Sequence, residues 1–213
     1  MPVAQRSSGR GFALPAAALG WLALAGQLFF TVERVVGRGG SVAAGVVRYL
    51  GYFTILTNLL VALAWTAHAC GGWLWDRFFE RPKVRTGIAA AIVLVGLAYA
   101  LLLRNVWNPQ GLEKAIDVVL HDVLPALFVA YWWIWVPKAA LRWSDAFVWA
   151  LYPLGYFVYT LLRGPLLAHY PYPFLDVAEL GYGRTLVNGL GLLAVFLVVS
   201  WLLVAIGRLR REP

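Results

Sequence analysis

The sequence predicts an all-α integral membrane protein, a bundle of six transmembrane helices with its N- and C-termini in the cytoplasm. Composition is the first observation. Of 213 residues, 62% are hydrophobic and 13% charged, against roughly 25% charged and 45–50% apolar in a soluble globular domain. A chain this short and this apolar cannot screen its hydrophobic surface from water, so lipid must be its solvent. Second, the apolar residues fall into six runs near the length of about 20 residues that a helix needs to cross the hydrocarbon core. Third, 11 Trp, 10 Tyr and 11 Phe suit amphipathic rings placed at membrane–water interfaces.

The first span is expected near 12–33. Arg6 and Arg10 ahead of an apolar run reaching Ala23-Leu24-Ala25 resemble a cleavable signal peptide. The run continues through Leu28-Phe29-Phe30, which favours a retained helix. The second span is placed near 46–68. The third, near 87–104, is short and uninterrupted. The fourth, near 117–137, contains Pro125, which lacks the amide proton that would bond the His121 carbonyl, so a loosened or kinked turn is expected there. The fifth, near 145–163, is broken by Pro153 and Gly155. The sixth, near 185–207, is with the first the cleanest of the set. The connections leave no room for a soluble domain, so residues 1–213 form one transmembrane domain without repeats or low-complexity segments.

Lys and Arg counts set the orientation. One side holds Arg6, Arg10, Arg77, Arg81, Lys83, Arg85, Lys138, Arg142, Arg208, Arg210 and Arg211, 11 in all. The other holds Arg34, Arg38, Arg48, Arg104, Lys114, Arg163 and Arg184, which is 7. The richer side is cytoplasmic, which puts the protein in the plasma membrane of the cell with both termini inside.

The same features exclude several classes. The net charge of +8 sits between apolar runs, where it orients helices, so nucleic acid is not an expected partner. A single cysteine, Cys70, rules out an intrachain disulfide and Cys-pair redox chemistry. His68 and His121 lie at opposite depths, which excludes a haem held between them. His121, His169 and Asp176 lack zinc-ligand spacing, the last span has no Lys for a retinal, and a Gly-x-Ser-Gly nucleophile loop is missing. No metal or cofactor is expected.

Polar groups inside membrane spans are costly and are the default site candidates. Thr54, Thr57 and Asn58 share one face of the second span, and Asp117 and His121 are four apart in the fourth, with Asp122 beside them. Counted at 1.5 Å per residue, Thr54 lies about 12 Å inside the outer start of its span and His121 about 6 Å inside its own. That difference is one helical turn, which tilt and side-chain reach can close. The plainer reading is that these groups are hydrogen-bonding glue between helices. Gln27, Thr31 and Arg34 form a further polar face, and Tyr152, Tyr156, Tyr159 and Arg163 a stripe on the fifth span. Arg34, Arg48, Arg104 and Arg163 sit at outer helix ends, where they either hold a carboxylate or phosphate or snorkel to lipid headgroups. The stretch His169-Tyr170-Pro171-Tyr172-Pro173-Phe174-Leu175-Asp176, within the outer loop 165–184, is rigid and aromatic: a lid over a pocket, or a segment resting at the interface.

Six short spans, Tyr52-Phe53-Thr54 with Thr57-Asn58-Leu59-Leu60 in the second, a fourth opening on His121, and the Tyr170-Pro171-Tyr172-Pro173-Phe174 loop together resemble the androgen-induced-protein family, and its bacterial branch in particular. Characterised animal members are threonine hydrolases that cleave fatty acid esters of hydroxy fatty acids with one Thr and one His inside the membrane. The resemblance implies Thr54 as nucleophile and His121 as base. The Thr54-to-Asn58 spacing is one residue longer than the animal pattern, which makes Thr57 a second candidate nucleophile. Asp117 would then orient the imidazole, and Thr57 or Asn58 would donate to the developing oxyanion. Arg34 and Arg163 would hold an acidic lipid, and Tyr156 and Tyr159 would line its site. The expected activity is that of an intramembrane lipid-ester hydrolase. The alternatives are a non-enzymatic carrier or binder of lipids or small hydrophobic molecules, and an accessory subunit packed against a partner.

Overall fold

The computed structural model describes residues 3–71, 76–106 and 108–209. They are helical with short connections, and no strand occurs among them. Arg210 and Arg211, part of the charge bias, lie outside the described residues. The helices are α1 (Val3–Val36), α2 (Val42–Tyr49), α3 (Phe53–Cys70), the single turn α4 (Asp76–Phe79), α5 (Pro82–Ala98), α6 (Gly111–Val118), α7 (Leu124–Trp135), α8 (Asp145–Leu167) and α9 (Val177–Leu209). A π turn, Tyr99–Leu103, extends α5, and another, Val119–Val123, joins α6 to α7. Six helical segments are long and apolar enough to cross a membrane: Gly9–Val36, Phe53–Cys70, Pro82–Leu103, Gly111–Trp135, Asp145–Leu167 and Val177–Leu209. The chain is a multi-pass membrane protein.

Four expectations about the spans need correction. The second span does not run from 46. Ser41 caps α2 by accepting from the Ala44 amide at 3.1 Å, the chain turns through 50–52, and α3 starts at Phe53. Thr54 is therefore in the first turn of its helix instead of two turns in. Pro153 and Gly155 do not break the fifth span, because α8 runs on to a left-handed Ala168 (φ 46°). Membrane helices tolerate such a proline when neighbouring groups satisfy the freed carbonyl. The third span is not uninterrupted, since it ends in a π turn. The sixth starts earlier than expected and bends at Gly181, whose φ of 72° is outside the helical region.

Small residues set how closely the helices approach. A Cβ at Gly20 of α1 would lie 3.5 Å from the Ala62 side chain of α3, and one at Gly87 would strike the Trp149 ring. The consecutive Ala89, Ala90 and Ala91 of α5 are buried, and α5 packs against α3, α7, α8 and α9 from this central place. Without a hydrophobic drive between helices in lipid, such close packing is what holds them. Large rings fill the remaining space: Trp65, Phe128, Tyr131, Trp132 and Phe196 are fully buried, with Phe12 stacked on Tyr131. Trp132 donates its indole N–H to Thr86 at 2.9 Å.

Candidate functional site

Pro125 explains the shape of the fourth span at His121. The loosened turn expected there takes the form of the π turn Val119–Val123, in which the Leu124 amide reaches back to the Val119 carbonyl. The Leu120 carbonyl loses its usual partner, and the Asn58 amide group takes it, donating at 3.2 Å. The same nitrogen donates to the Thr54 carbonyl at 2.9 Å. One buried side chain thus ties the first turn of α3 to the residue next to His121.

The second π turn starts at Tyr99, whose ring lies flat on the His121 imidazole. The Tyr99 hydroxyl donates to Asp117 Oδ2. Asp117 Oδ1 is 3.0 Å from His121 Nδ1, and the Asp117 carbonyl is 2.9 Å from the same nitrogen. With Nδ1–H donated to Asp117, the lone pair of the neutral ring is on Nε2. Nε2 has no hydrogen-bond partner among the described residues. Paired π turns of this kind often mark functional sites.

His121, Asp117, Tyr99 and Thr54 line a cavity of about 330 Å³, whose wall also includes Thr31, Arg34, Arg38, Arg48 and Tyr172. A second cavity of about 390 Å³ lies beside it, lined by apolar side chains of α3, α5, α8 and α9. Its rim carries Leu154, Val158, Leu186 and Leu190, which are 43–64% exposed. Exposed leucines on spanning helices face hydrocarbon, so this cavity opens sideways toward the acyl chains of the bilayer. Four residues line both cavities: Thr54, Tyr99, Leu103 and Tyr172.

The remaining expected site residues are distributed unevenly. Thr54 and His121 share the polar cavity but are not hydrogen-bonded to each other, because the Thr54 hydroxyl is 3.2 Å from the Tyr172 hydroxyl instead. Thr57 and Asn58 are fully buried and line neither cavity. Thr57 is 3.0 Å from the Tyr152 hydroxyl, and the Asn58 nitrogen is committed to two carbonyls, so both are packing groups here. Arg34 lines the cavity but is ion-paired with Glu113. Arg163 is only 6% exposed, lines neither cavity, and donates from Nη2 to the Val47 carbonyl at 2.9 Å. Its guanidinium occupies the space a Cβ at Gly51 would need. Tyr156 lines the apolar cavity and donates to the Gly51 carbonyl at 2.9 Å. Tyr159 is 41% exposed and lines neither.

Sequence reasoning missed Tyr99, Arg38 and the individual role of Tyr172. Arg38 and Arg48 face the polar cavity without an acidic partner among the described residues, which makes its mouth cationic. Arg104 pairs with Asp122 at 2.5 Å, and neither lines the cavity. In the loop between α8 and α9, burial and then Arg48 and Arg163 lower the His169 pKa to about 4, so this imidazole is neutral. Burial pushes the Tyr172 phenol up to about 12, so it keeps its proton. Among the described residues no three His, Cys, Asp or Glu side chains gather as metal ligands would. Comparison with protein-family models, curated proteins and solved structures returns no match for this chain.

Proposed function

We propose that this chain is an intramembrane lipid-ester hydrolase of the plasma membrane, with both termini inside, in which Thr54 is the nucleophile and His121 the base. The observation behind this reading is that Thr54 lines both cavities, while the polar one also holds an imidazole fixed by a carboxylate and a tyrosine. A hydroxyl is a weak nucleophile until an adjacent base takes its proton. The Thr54 oxygen attacks the ester carbonyl and its proton passes to His121 Nε2. The alkoxide of the tetrahedral intermediate collapses, and the leaving alcohol takes that proton. Water, deprotonated by the same nitrogen, then attacks the acyl-threonine; the acid leaves as the Thr54 oxygen is expelled and takes that proton back from Nε2. Asp117 stabilises the imidazolium and holds the ring tautomer. Membrane lipids reach Thr54 sideways through the apolar cavity. The likeness to the androgen-induced-protein family supports the same pair of residues, and the surplus of cations on the side of Arg77–Arg85 supports the orientation.

A second reading rests on a specific contact. The Thr54 hydroxyl engages Tyr172 and not His121, so the two adjacent cavities would hold a lipid or small hydrophobic molecule without reacting with it. Covalent labelling of the purified protein with a fluorophosphonate probe separates the two. The hydrolase gives labelling that is lost in Thr54→Ala and in His121→Ala but kept in Thr57→Ala. A well-folded wild-type protein that takes no label is the carrier.

A further inference from the structure

Tyr172 belongs to the outer loop, yet its ring is 8% exposed and stands in the wall between the two cavities. The loop is built to hold it there. Ala168 turns the chain out of α8 with a φ of 46°, and the Tyr170 ring lies so close over Gly164 that a Cβ there would come within 2.0 Å. Pro171 and Pro173 flank the tyrosine and restrict its backbone. A 3-10 turn, Pro173–Leu175, follows, anchored by Asn188 donating to the Phe174 carbonyl at 2.9 Å. The Phe174 ring stacks on Tyr172, with 5.2 Å between centroids and 6° between planes.

The hydroxyl of this tyrosine is 3.2 Å from Thr54 Oγ1 and accepts from the Thr54 amide at 3.2 Å. Tyr52, the residue just before α3, supplies no side-chain cap of its own. The phenol therefore fills the position next to both the hydroxyl and the first amides of the helix, where the carbonyl oxygen of an ester bound at Thr54 would lie. An amphiphile long enough to use both cavities must pass the ring.

We propose that Tyr172 is a gate and a positioning residue: at rest its ring separates the polar from the lipid-facing cavity and its hydroxyl holds Thr54, and a bound ester displaces it. The positioning half rests on the hydrolase reading, whereas the gate does not. In the resting state the phenol keeps Thr54 Oγ1 away from His121. Displacement frees that oxygen for the imidazole and joins the cavities into one channel from the cationic mouth to the bilayer.

Two variants separate ring from hydroxyl. Tyr172→Phe keeps the partition and removes the hydrogen bonds, whereas Tyr172→Ala removes both. The gate is read without any chemistry, by a cysteine at Leu94, which is 6% exposed and lines only the apolar cavity. In a Cys70→Ser, Leu94→Cys background, modification by a cationic methanethiosulfonate reagent is expected to be about tenfold faster with Tyr172→Ala and unchanged with Tyr172→Phe, an order of magnitude corresponding to about 1.4 kcal/mol of barrier. Equal rates in all three proteins, or equal acceleration by Phe and Ala, overturn the gate. The positioning role is read on ester turnover. Tyr172→Phe is expected to lower KM about three- to tenfold, the worth of a neutral hydrogen bond no longer broken on binding. A fall in kcat with KM unchanged would make the hydroxyl a transition-state donor and overturn the resting-state role. If no ester is turned over by any form, the hydrolase reading fails while the cysteine rates still decide the gate.

Discussion

The Tyr99 ring is stacked on the His121 imidazole with centroids 4.1 Å apart and planes 17° apart, and its hydroxyl reaches the carboxylate that holds the same imidazole. Tyr99 and His121 are separated by 22 positions in different spans, so the contact depends on two π turns facing each other. The stack fixes the ring plane, and Asp117 fixes its rotation and tautomer. Removing parts of this arrangement should therefore cost activity in a definite order. His121→Ala is expected to lose about 10²- to 10⁴-fold of turnover, the usual worth of a positioned acid–base group. Asp117→Asn is expected to lose less, and Tyr99→Phe, which keeps the stack and drops one hydrogen bond, least of the three. Rates of fluorophosphonate labelling measure the order, and a Tyr99→Phe loss equal to that of His121→Ala would contradict it.

Asn58 and Thr57 are neighbours with different consequences. Asn58 donates to the carbonyls of Thr54 and Leu120, one on the proposed nucleophile and one on the neighbour of the proposed base. Asn58→Leu is similar in size and leaves both carbonyls buried without that donor, which should destabilise the fold by about 1–3 kcal/mol. It should also slow labelling of Thr54. Thr57→Val removes only the contact with Tyr152, so it is expected to lower the thermal midpoint slightly and leave labelling unchanged. Measuring both quantities on both variants checks the separation.

How much of this could be read from the chain depends on the range of the interaction concerned. The six spans are composition, and composition is local. The Asp117–His121 pair is a four-residue helical spacing, and the disturbed turn near it follows from one proline. The turn at 50–52 was not legible, because Val46, Val47, Leu50 and Phe53 continue an apolar run. Gly51 is the only sign of the turn, and what crowds it is Arg163 from α8. Arg34 looked free for a ligand because Glu113, its partner, is far away in sequence. Thr57 and Asn58 looked equivalent to Thr54 by periodicity. They differ because Thr54 sits at the helix start, where two cavities meet, whereas the next turn is packed against α8 and the fourth span.

Gly164 is a remote control on the loop. The Tyr170 ring occupies the volume a methyl group would need, so Gly164→Ala must push the ring off α8 and loosen the segment that carries Tyr172. Overpacking of this kind costs about 1–3 kcal/mol. The variant is expected to speed modification of a cysteine at Leu94 in the same direction as Tyr172→Ala but by less. No change in that rate would mean that the ring moves without taking the loop with it.

Orientation has a native reporter. Cys70 is exposed at the end of α3, on the cytoplasmic side if the termini are inside. A membrane-impermeant maleimide should leave it unlabelled in intact cells and label it after permeabilisation. Gln110, exposed in the connection between the third and fourth spans, should behave oppositely: Gln110→Cys in a Cys70→Ser background is expected to label without permeabilisation. The reverse pattern would place the polar cavity on the cytoplasmic side.

His169 should make part of the stability depend on pH. Burial, then Arg48 and Arg163, lower its pKa from 6.5 to about 4, with Asp176 opposing them. The unfolded chain takes up a proton near pH 6.5, while the folded chain refuses it until about 4. Protons therefore favour the unfolded state across this window: the contribution is fully present above pH 6.5, declines as pH falls, and is lost by about pH 4. Carboxylates elsewhere add their own acid sensitivity, which is shared by wild type and His169→Gln. The difference between their thermal midpoints in detergent isolates the histidine. It should be constant above pH 6.5, shift against the wild type between 6.5 and 4, and level off below. A difference that stays flat over the whole range would show that the folded protein admits the proton as readily as the unfolded one.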